Sequence, residues 1–169
     1  MDANLKNTLL TVCDLLEKHE VQYIIVGGAA VALNGYYRHS MNVDGTLSSK
    51  PDIDVWYNPT YTNYFNLLKV IEDLGQDVTA FRNEQAPNPS KSFFKLDFTD
   101  FSFDLLPSVK AEISFFESSQ RKETVEVNNT KIHFMCYQDL ITDKLAGARK
   151  KDLEDIEQLK KIRGEDGKF

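Results

Sequence analysis

The sequence predicts an α+β fold, because helical periodicity and strand signals both occur and follow one another along the chain. Leu5, Leu9 and Val12 recur at helical spacing and indicate an amphipathic helix that ends near residue 19. Residues 21–26 are mostly β-branched or aromatic, which favours a buried strand. With 169 residues, 41% of them hydrophobic and 27% charged, the chain is long enough to bury a core without disulfides. We therefore expect residues 1–169 to form one domain.

The remaining elements follow from the same two signals. Helical spacing predicts further helices over 29–33, 61–75, 138–147 and 151–162. Gly35 and Gly75 are expected to end the first two of these. Strand signals cover 92–98, 101–106, and a hairpin of 123–127 and 131–135 around Asn128-Asn129. Residues 83–90, rich in proline and asparagine, are expected to be a loop.

A glycine pair, Gly27-Gly28, follows the first predicted strand directly and precedes a helix. Such a junction places free backbone N–H groups and the positive end of a helix dipole together, which suits a phosphate group. The glycines would let a triphosphate approach the backbone closely. A tight turn that binds nothing gives the same pattern, so the pair by itself leaves both interpretations open.

Asp52 and Asp54 lie in a predicted strand that begins after Pro51. Side chains alternate along a strand, so the two carboxylates share one face while Ile53 and Val55 point into the core. Such a pair can hold one hard cation or two cations side by side, and Mg²⁺ is the expected ion because it prefers oxygen ligands. The alternative is a strand that shows two acids to solvent.

Asp104 lies within the apolar strand 101–106, on the face opposite Phe103. A carboxylate among apolar residues needs a partner, because an unpaired buried charge is costly. A metal ion would supply that partner, and so would an arginine such as Arg82. Asp97 and Asp100 are rival acids, but they lie at or near the turn between strands, where solvation is expected.

The last segment of the chain mixes basic and acidic residues, among them Lys144, Arg149, Asp152 and Asp155. Mixed charge along a helix favours a solvated, salt-bridged face. We therefore expect most of these side chains to be exposed.

Composition excludes several classes of protein. The net charge of −6 argues against a protein that coats nucleic acid non-specifically. Cys13 and Cys136 show no metal or disulfide spacing, and they indicate reduced thiols in a cytoplasmic protein. The three histidines lie far apart in sequence, so we expect no zinc site. The first residues lack a basic region followed by an apolar one, so we expect no signal peptide. No apolar run is long enough for a membrane span, so we expect no membrane association.

Taken together, these motifs resemble the nucleotidyltransferase superfamily that includes DNA polymerase beta, and within it the AbiEii-like, minimal-nucleotidyltransferase branch. The matching segments extend over about residues 21–159, and their order and spacing make the match specific. They are Gly27-Gly28-Ala29-Ala30, Gly35-Tyr36-Tyr37-Arg38, Asp52-Ile53-Asp54, Asp104, Lys144-Leu145-Ala146, Arg149, Lys151-Asp152 and Asp155-Ile156.

The resemblance implies a mixed β-sheet flanked by helices. It also implies that Asp52, Asp54 and Asp104 hold two Mg²⁺ ions, which grip the triphosphate of an NTP such as ATP while an acceptor hydroxyl attacks the α-phosphate. Gly27, Gly28 and Arg38 would then lie at the nucleotide, and Lys144 would contact a phosphate or the acceptor. These roles are expectations from the resemblance.

Residues 40–50 separate Arg38 from the Asp-x-Asp motif and are polar. The Asp44-Gly45 pair within them predicts a hairpin turn. We expect this segment to be a hairpin or mobile flap on the nucleotide side rather than part of the core.

Two functions stay open at this point. The first is a Mg²⁺-dependent nucleotidyltransferase that modifies an RNA end, a partner protein or a small molecule, in a toxin–antitoxin or abortive-infection setting. The second is a catalytically inactive antitoxin or binding module that keeps the same fold. Three retained acids, Asp52, Asp54 and Asp104, favour the enzyme. A plain structural α+β domain with surface acids is the third alternative.

Overall fold

The computed structural model describes residues 1–41 and 43–165. The α-helices in this part are α1 (Ala3–Lys18), α2 (Gly27–Leu33), α3 (Tyr61–Asp73), α4 (Thr79–Arg82), α5 (Phe115–Arg121), α6 (Tyr137–Gly147) and α7 (Lys150–Ile162). The strands are β1 (Tyr23–Val26), β2 (Ser40–Met41), β3 (Leu47–Ser48), β4 (Asp52–Tyr57), β5 (Phe94–Asp97), β6 (Ser102–Leu106), β7 (Glu123–Val127) and β8 (Thr130–Phe134). A 3-10 turn forms at Pro89–Lys91.

Six of these strands form one mixed sheet in the order β5-β6-β4-β1-β8-β7. The pairs β4–β6 and β1–β8 are parallel, whereas β1–β4, β5–β6 and β7–β8 are antiparallel. The fold is therefore α+β with a mixed, helix-flanked sheet, as the sequence predicted. β4, the strand that carries Asp52 and Asp54, is hydrogen-bonded to β1 on one side and to β6 on the other. Its backbone is therefore held in position from both sides.

Alternation along β4 sends its side chains into two separate cores. Ile53 and Val55 are fully buried in the larger core, which α1 and α3 cover. Trp56 points to the opposite face and packs in a second core with residues of α2, α6 and α7. Asp52 and Asp54 have the same parity as Trp56, so they lie at the open end of this second face.

The ends of α3 show how local sequence sets element boundaries. The Thr60 side chain accepts a hydrogen bond from the backbone N–H of Asn63, which satisfies one free donor of the first turn. Gly75 follows the helix with a φ of +92°, a left-handed conformation that favours glycine. The helix ends at Asp73, with Leu74 as its C-cap, and the prediction that Gly75 terminates it as the next residue is confirmed.

Two short helices, α4 and α5, do not appear among the sequence-based expectations. They contain 4 and 7 residues, too few for a periodic apolar stripe to be recognised. The start of α5 does carry a local signal, a capping box between Ser114 and Glu117. The helix expected over 29–33 begins earlier, at Gly27, and the loop expected over 83–90 ends in the 3-10 turn.

Between Arg38 and β4, the strands β2 and β3 pair as a small antiparallel hairpin. Asp44 accepts hydrogen bonds from the backbone N–H and the hydroxyl of Thr46 at 3.0 and 2.6 Å, and Gly45 has a φ of +82°. The predicted hairpin turn is therefore confirmed, although Asn42 within this segment lies outside the described residues. That the segment of residues 40–50 is a mobile flap on the nucleotide side remains a prediction.

Among the residues that the structure describes, none belongs to a helix long and apolar enough to cross a membrane.

Candidate active site

The three predicted acids converge at one point on the sheet. Strands β4 and β6 run parallel and adjacent, with Asp54 opposite Asp104 in the register. Asp52 lies two residues before Asp54 and therefore on the same face. One carboxylate oxygen from each of the three lies within 4.8 Å of the others. The pairing of β4 with β6 thus brings three carboxylates close enough together to hold metal cations. Asp52, Asp54 and Asp104 are called the acidic triad below.

Gly27 makes room for one member of the triad. A Cβ on Gly27 would lie 2.3 Å from the Oδ2 atom of Asp54, closer than any real contact. Gly27 also has a φ of +62°, in the left-handed region. Gly28, in contrast, would direct a Cβ into open space. Gly27 therefore lets the Asp54 carboxylate lie against the turn, and Gly28 leaves the space beside the triad free.

The surroundings of the triad disfavour its full ionisation. Burial first, and then the charges of Asp52 and Asp104, together raise the pKa of Asp54 to about 7. Burial and the charge of Asp52 also raise the pKa of Asp104. The Oδ1 atom of Asp104 is buried and finds no hydrogen-bond partner within residues 1–41 and 43–165. Oxygen ligands crowded together, one of them unpartnered, fit the requirements of Mg²⁺.

The rival residues lie elsewhere. Asp97 is 74% exposed at its side chain and pairs with Lys50. Arg82, the suggested partner of Asp104, instead donates to Glu72 at 2.6 Å, so that alternative is wrong. Asp100 is exposed. These placements leave Asp104 as the third acid beside Asp52 and Asp54.

A buried ion cluster adjoins the triad. The Lys144 side chain is only 5% exposed, and its Nζ atom lies 3.1 Å from Asp152 and 2.8 Å from Asp155. The two carboxylates are 1% and 0% exposed. The expectation of an exposed Lys144 is therefore wrong, and so is that of a solvated face at Asp152 and Asp155. Helical spacing (i, i+3) puts both acids on the side of α7 that packs against α6.

Two arginines complete this cluster. The Arg38 guanidinium donates to both oxygens of Asp155, at 2.6 and 3.0 Å. Arg149 donates to both oxygens of Asp152, at 2.7 and 3.0 Å. Burial by itself would raise the pKa of either carboxyl, but the bonds from the arginines and from Lys144 outweigh it and lower both pKa values. Both acids are therefore ionised and hold the arginines in fixed positions.

The acidic triad and the cluster line one pocket of about 230 Å³, called the triad pocket below. Its lining residues are Gly27, Gly28, Arg38, Asp52, Asp54, Asp104, Lys144, Arg149 and Lys151. Every site residue predicted from the sequence is among them. Arg149 and Lys151 were not predicted as site residues, because their charges read as part of a solvated helix.

Positive charge is crowded on one side of the triad pocket. Burial lowers the pKa of Lys151, and the neighbouring charges of Arg149 and Arg38 lower it further. Such crowding of cations costs free energy in the empty pocket, and an anion bound there would relieve it. The pocket therefore combines a place for cations at the triad with a place for a polyanion beside it.

A larger pocket of about 650 Å³ lies at the other end of β1 and shares no lining residue with the triad pocket. Among its lining residues are His133 and Glu17, whose side chains contact each other at 3.1 Å. Size does not make it the better candidate, because the converging carboxylates and cations lie at the triad.

A mixed sheet that presents three converging acids beside a glycine turn defines a nucleotidyltransferase-type protein. The chain belongs to the family described as nucleotidyltransferase of unknown function (DUF6036), which matches residues 4–164. The chain is thus a nucleotidyltransferase. No curated protein matches its sequence.

Three solved structures share the fold. The antibiotic-resistance factor ANT(2'')-Ia has a TM-score of 0.57 at 16% identity, over 96% of this chain and 85% of that one. An antigenic nucleotidyltransferase-like protein from Paracoccidioides brasiliensis has a TM-score of 0.54 at 14% identity, over 95% and 77%. The lincosamide antibiotic adenylyltransferase LnuA, in its lincomycin-bound structure, has a TM-score of 0.53 at 17% identity, over 96% and 98%. At these identities the likeness concerns the fold.

Proposed function

We propose that the protein transfers a nucleoside monophosphate from an NTP to an acceptor hydroxyl, with Mg²⁺ bound at Asp52, Asp54 and Asp104. The observation that carries this proposal is the convergence of three carboxylate oxygens within 4.8 Å. The Oδ1 atom of Asp104 supports it as well, because this buried acceptor has no hydrogen-bond partner in the described part of the chain and is costly without a ligand.

Bound Mg²⁺ would neutralise charge on the attacking and leaving oxygens of an in-line displacement. The acceptor oxygen forms a bond to the α-phosphorus, and the bond to the bridging oxygen breaks, so that pyrophosphate leaves with the electron pair. Asp104 accepts the proton of the acceptor hydroxyl in this proposal. A general base must lie within reach of the proton that it removes, and the place of Asp104 in the acidic triad supports that role.

The triphosphate is held on the cationic side of the triad pocket. Arg38 and Arg149 present their guanidinium groups there, fixed by Asp155 and Asp152. Lys151 adds a third positive charge to the same wall. Gly28 leaves space for a phosphate to approach the backbone, as the open position of its absent Cβ indicates. Because the arginines are already ordered, little side-chain entropy is lost when they bind phosphate.

Lys144 acts indirectly in this proposal. Its ammonium group is bound by two buried carboxylates, so it is not a mobile phosphate contact. It stabilises Asp152 and Asp155 together, and these in turn position the two arginines. Lys144 is therefore a positioning residue.

A labelling experiment tests the proposal. The protein is incubated with each of four α-³²P-labelled NTPs and Mg²⁺, together with total RNA, the protein encoded by the neighbouring gene, or lincomycin. We expect label on one of these acceptors and release of pyrophosphate. Label on RNA or on the neighbouring protein would support a toxin–antitoxin or abortive-infection setting. Label on lincomycin would instead indicate antibiotic modification.

Asp104→Asn and Asp97→Asn form a matched pair of variants for this experiment. The two acids lie on adjacent strands, but Asp97 is exposed and bound to Lys50. Asp104→Asn should abolish transfer, whereas Asp97→Asn should retain it. If purified protein transfers no label to any acceptor although it binds NTP and Mg²⁺, the alternative of an inactive binding module would replace the proposal.

A further inference from the structure

The pocket of about 650 Å³ at the other end of β1 is called the distal pocket below. It shares no lining residue with the triad pocket, so the proposed transfer reaction does not use it. A cavity of this size can enclose a small organic molecule or a side chain of a partner protein. The polar and aromatic groups that line it therefore indicate the chemical class of its ligand.

One wall of the distal pocket is the helix α5, which the core holds in place without a ligand. Phe115 at the start of α5 contacts the ring of Trp56, with the ring centroids 5.3 Å apart. Ser118 donates to the buried carboxylate of Asp139 in α6 at 2.8 Å, and Arg121 donates to the same carboxylate. This wall is therefore preformed, and little conformational entropy would be lost when a ligand binds against it.

Acidic side chains outnumber lysines in the lining of the distal pocket. Glu17 and Glu20 contribute two carboxylates, whereas Lys122 contributes one ammonium group, which donates to the backbone carbonyl of Ser119 at 3.2 Å. Burial lowers the pKa of His133 against the opposing effect of Glu17, so this imidazole is neutral near pH 7 and leaves the carboxylate its charge. The distal pocket therefore favours a positively charged ligand.

Two lining groups are open to such a ligand. The Glu20 carboxylate is exposed and makes no hydrogen bond or ion pair within the described part of the chain. The ring of Phe116 is 73% exposed. A flat cation can place its charge at a carboxylate and its face against an aromatic ring, and both contacts are favourable.

We propose that the distal pocket binds a flat organic cation, a guanidinium or amidinium group, with its charge at Glu17 and Glu20 and its face against Phe116. Such a group presents several N–H donors in one plane, which suits carboxylate acceptors. It can belong to a free small molecule or to an arginine of a partner protein. Because the distal pocket is separate from the triad pocket, the test of this proposal is independent of the transfer reaction.

Benzamidine and benzamide test this assignment, because both have the same flat ring and differ mainly in charge. Binding of each to ¹⁵N-labelled protein is measured from the shifts of backbone amide signals. We expect benzamidine to bind with a dissociation constant of about 1 mM and benzamide to bind about tenfold more weakly. The signals that shift should include those of α5 and of residues 17–23.

The double variant Glu20→Gln/Phe116→Ala removes the charge and the ring from exposed positions, where substitution does not threaten the fold. It should weaken benzamidine binding about tenfold, since each contact contributes a factor of about two to five. Glu126→Gln/Phe93→Ala makes the same two changes at exposed positions outside the distal pocket, and it should bind as wild type does. Asp54→Asn should also bind as wild type does, because the acidic triad lies in the other pocket.

A capped peptide with one arginine between glycines distinguishes the two sources of the cation. Tighter binding of the peptide than of benzamidine would assign the pocket to an arginine of a partner protein, and weaker binding would assign it to a free small cation. Equal binding of benzamidine and benzamide would overturn the proposal. So would unchanged binding of benzamidine to Glu20→Gln/Phe116→Ala, loss of its binding to Asp54→Asn, or no binding of either cation at about 10 mM.

Discussion

Replacing Lys144 with alanine should destabilise the protein strongly. Lys144 is 5% exposed and is the shared partner of Asp152 and Asp155, which are 1% and 0% exposed. Its removal leaves two buried carboxylates short of a positive charge. Breaking a buried ion pair from one side costs about 3–5 kcal/mol. Because Arg38 and Arg149 remain bound to the two carboxylates, we expect the lower end, about 3 kcal/mol.

The measurement is the free energy of unfolding in urea, with thermal melting as a second readout. For a chain of this length, 1 kcal/mol corresponds to about 2–4 °C in Tm, so Lys144→Ala should lower Tm by about 6–12 °C. Lys18→Ala is the control, because Lys18 is 60% exposed in its pair with Asp73. An exposed pair contributes at most about 1 kcal/mol, so this variant should unfold close to wild type.

Lys144→Met separates charge from packing, since methionine keeps most of the apolar stem and removes the ammonium. It should be almost as unstable as Lys144→Ala if the charge matters most. The reasoning is refuted if Lys144→Ala unfolds within about 0.5 kcal/mol of wild type, the range typical of surface substitutions. Wild-type stability of Lys144→Met would show that packing, rather than the ion cluster, accounts for the loss.

Four further predictions concern the triad and its surroundings. In Mg²⁺-free buffer, the stability of the wild type should fall relative to that of Asp54→Asn as pH rises from 3.8 to about 7. The pKa of Asp54 is raised on folding, so the folded state favours the protonated carboxyl and loses stability as that proton leaves. Parallel pH profiles of Tm for the two proteins would contradict this. At pH 8, Mg²⁺ should raise the Tm of wild type and Asp97→Asn but not that of Asp54→Asn, and equal shifts in all three would exclude the shared site. Gly27→Ala should lower the free energy of unfolding by about 1–2 kcal/mol, because alanine is strained at the left-handed φ of this position. It should also abolish the rise in Tm with Mg²⁺, because the new Cβ displaces Asp54, whereas Gly28→Ala should keep the wild-type stability and the Mg²⁺ effect. Thermal melting of both variants with and without Mg²⁺ is the measurement. Replacing residues 41–47 with two glycines should leave Tm within a few degrees, since Val43 and Leu47 are exposed, and a collapse of the melting transition would show that the hairpin is structural.

Patterns among residues close in sequence predicted much of the fold. The 3.6-residue period located α1 and α3, and the turn residues Asn128 and Asn129, with φ of 51° and 63°, placed the β7–β8 hairpin. Alternation in β4 put Asp52 and Asp54 on one face without any knowledge of neighbouring strands. These features depend on residues close in sequence, so a single chain is enough to predict them.

The sequence by itself also determined the candidate metal ligands and the family resemblance, because a short pattern of acids in strands limits where carboxylates can point. Only the tertiary structure decided what surrounds them. Arg38 and Asp155 are separated by 117 residues, and no local rule joins them. The mixed charges of α7 read as a solvated face, but packing against α6 buries Asp152 and Asp155 beside Lys144. Helical periodicity states which residues share a face, whereas burial of that face depends on which element the folded chain brings against it.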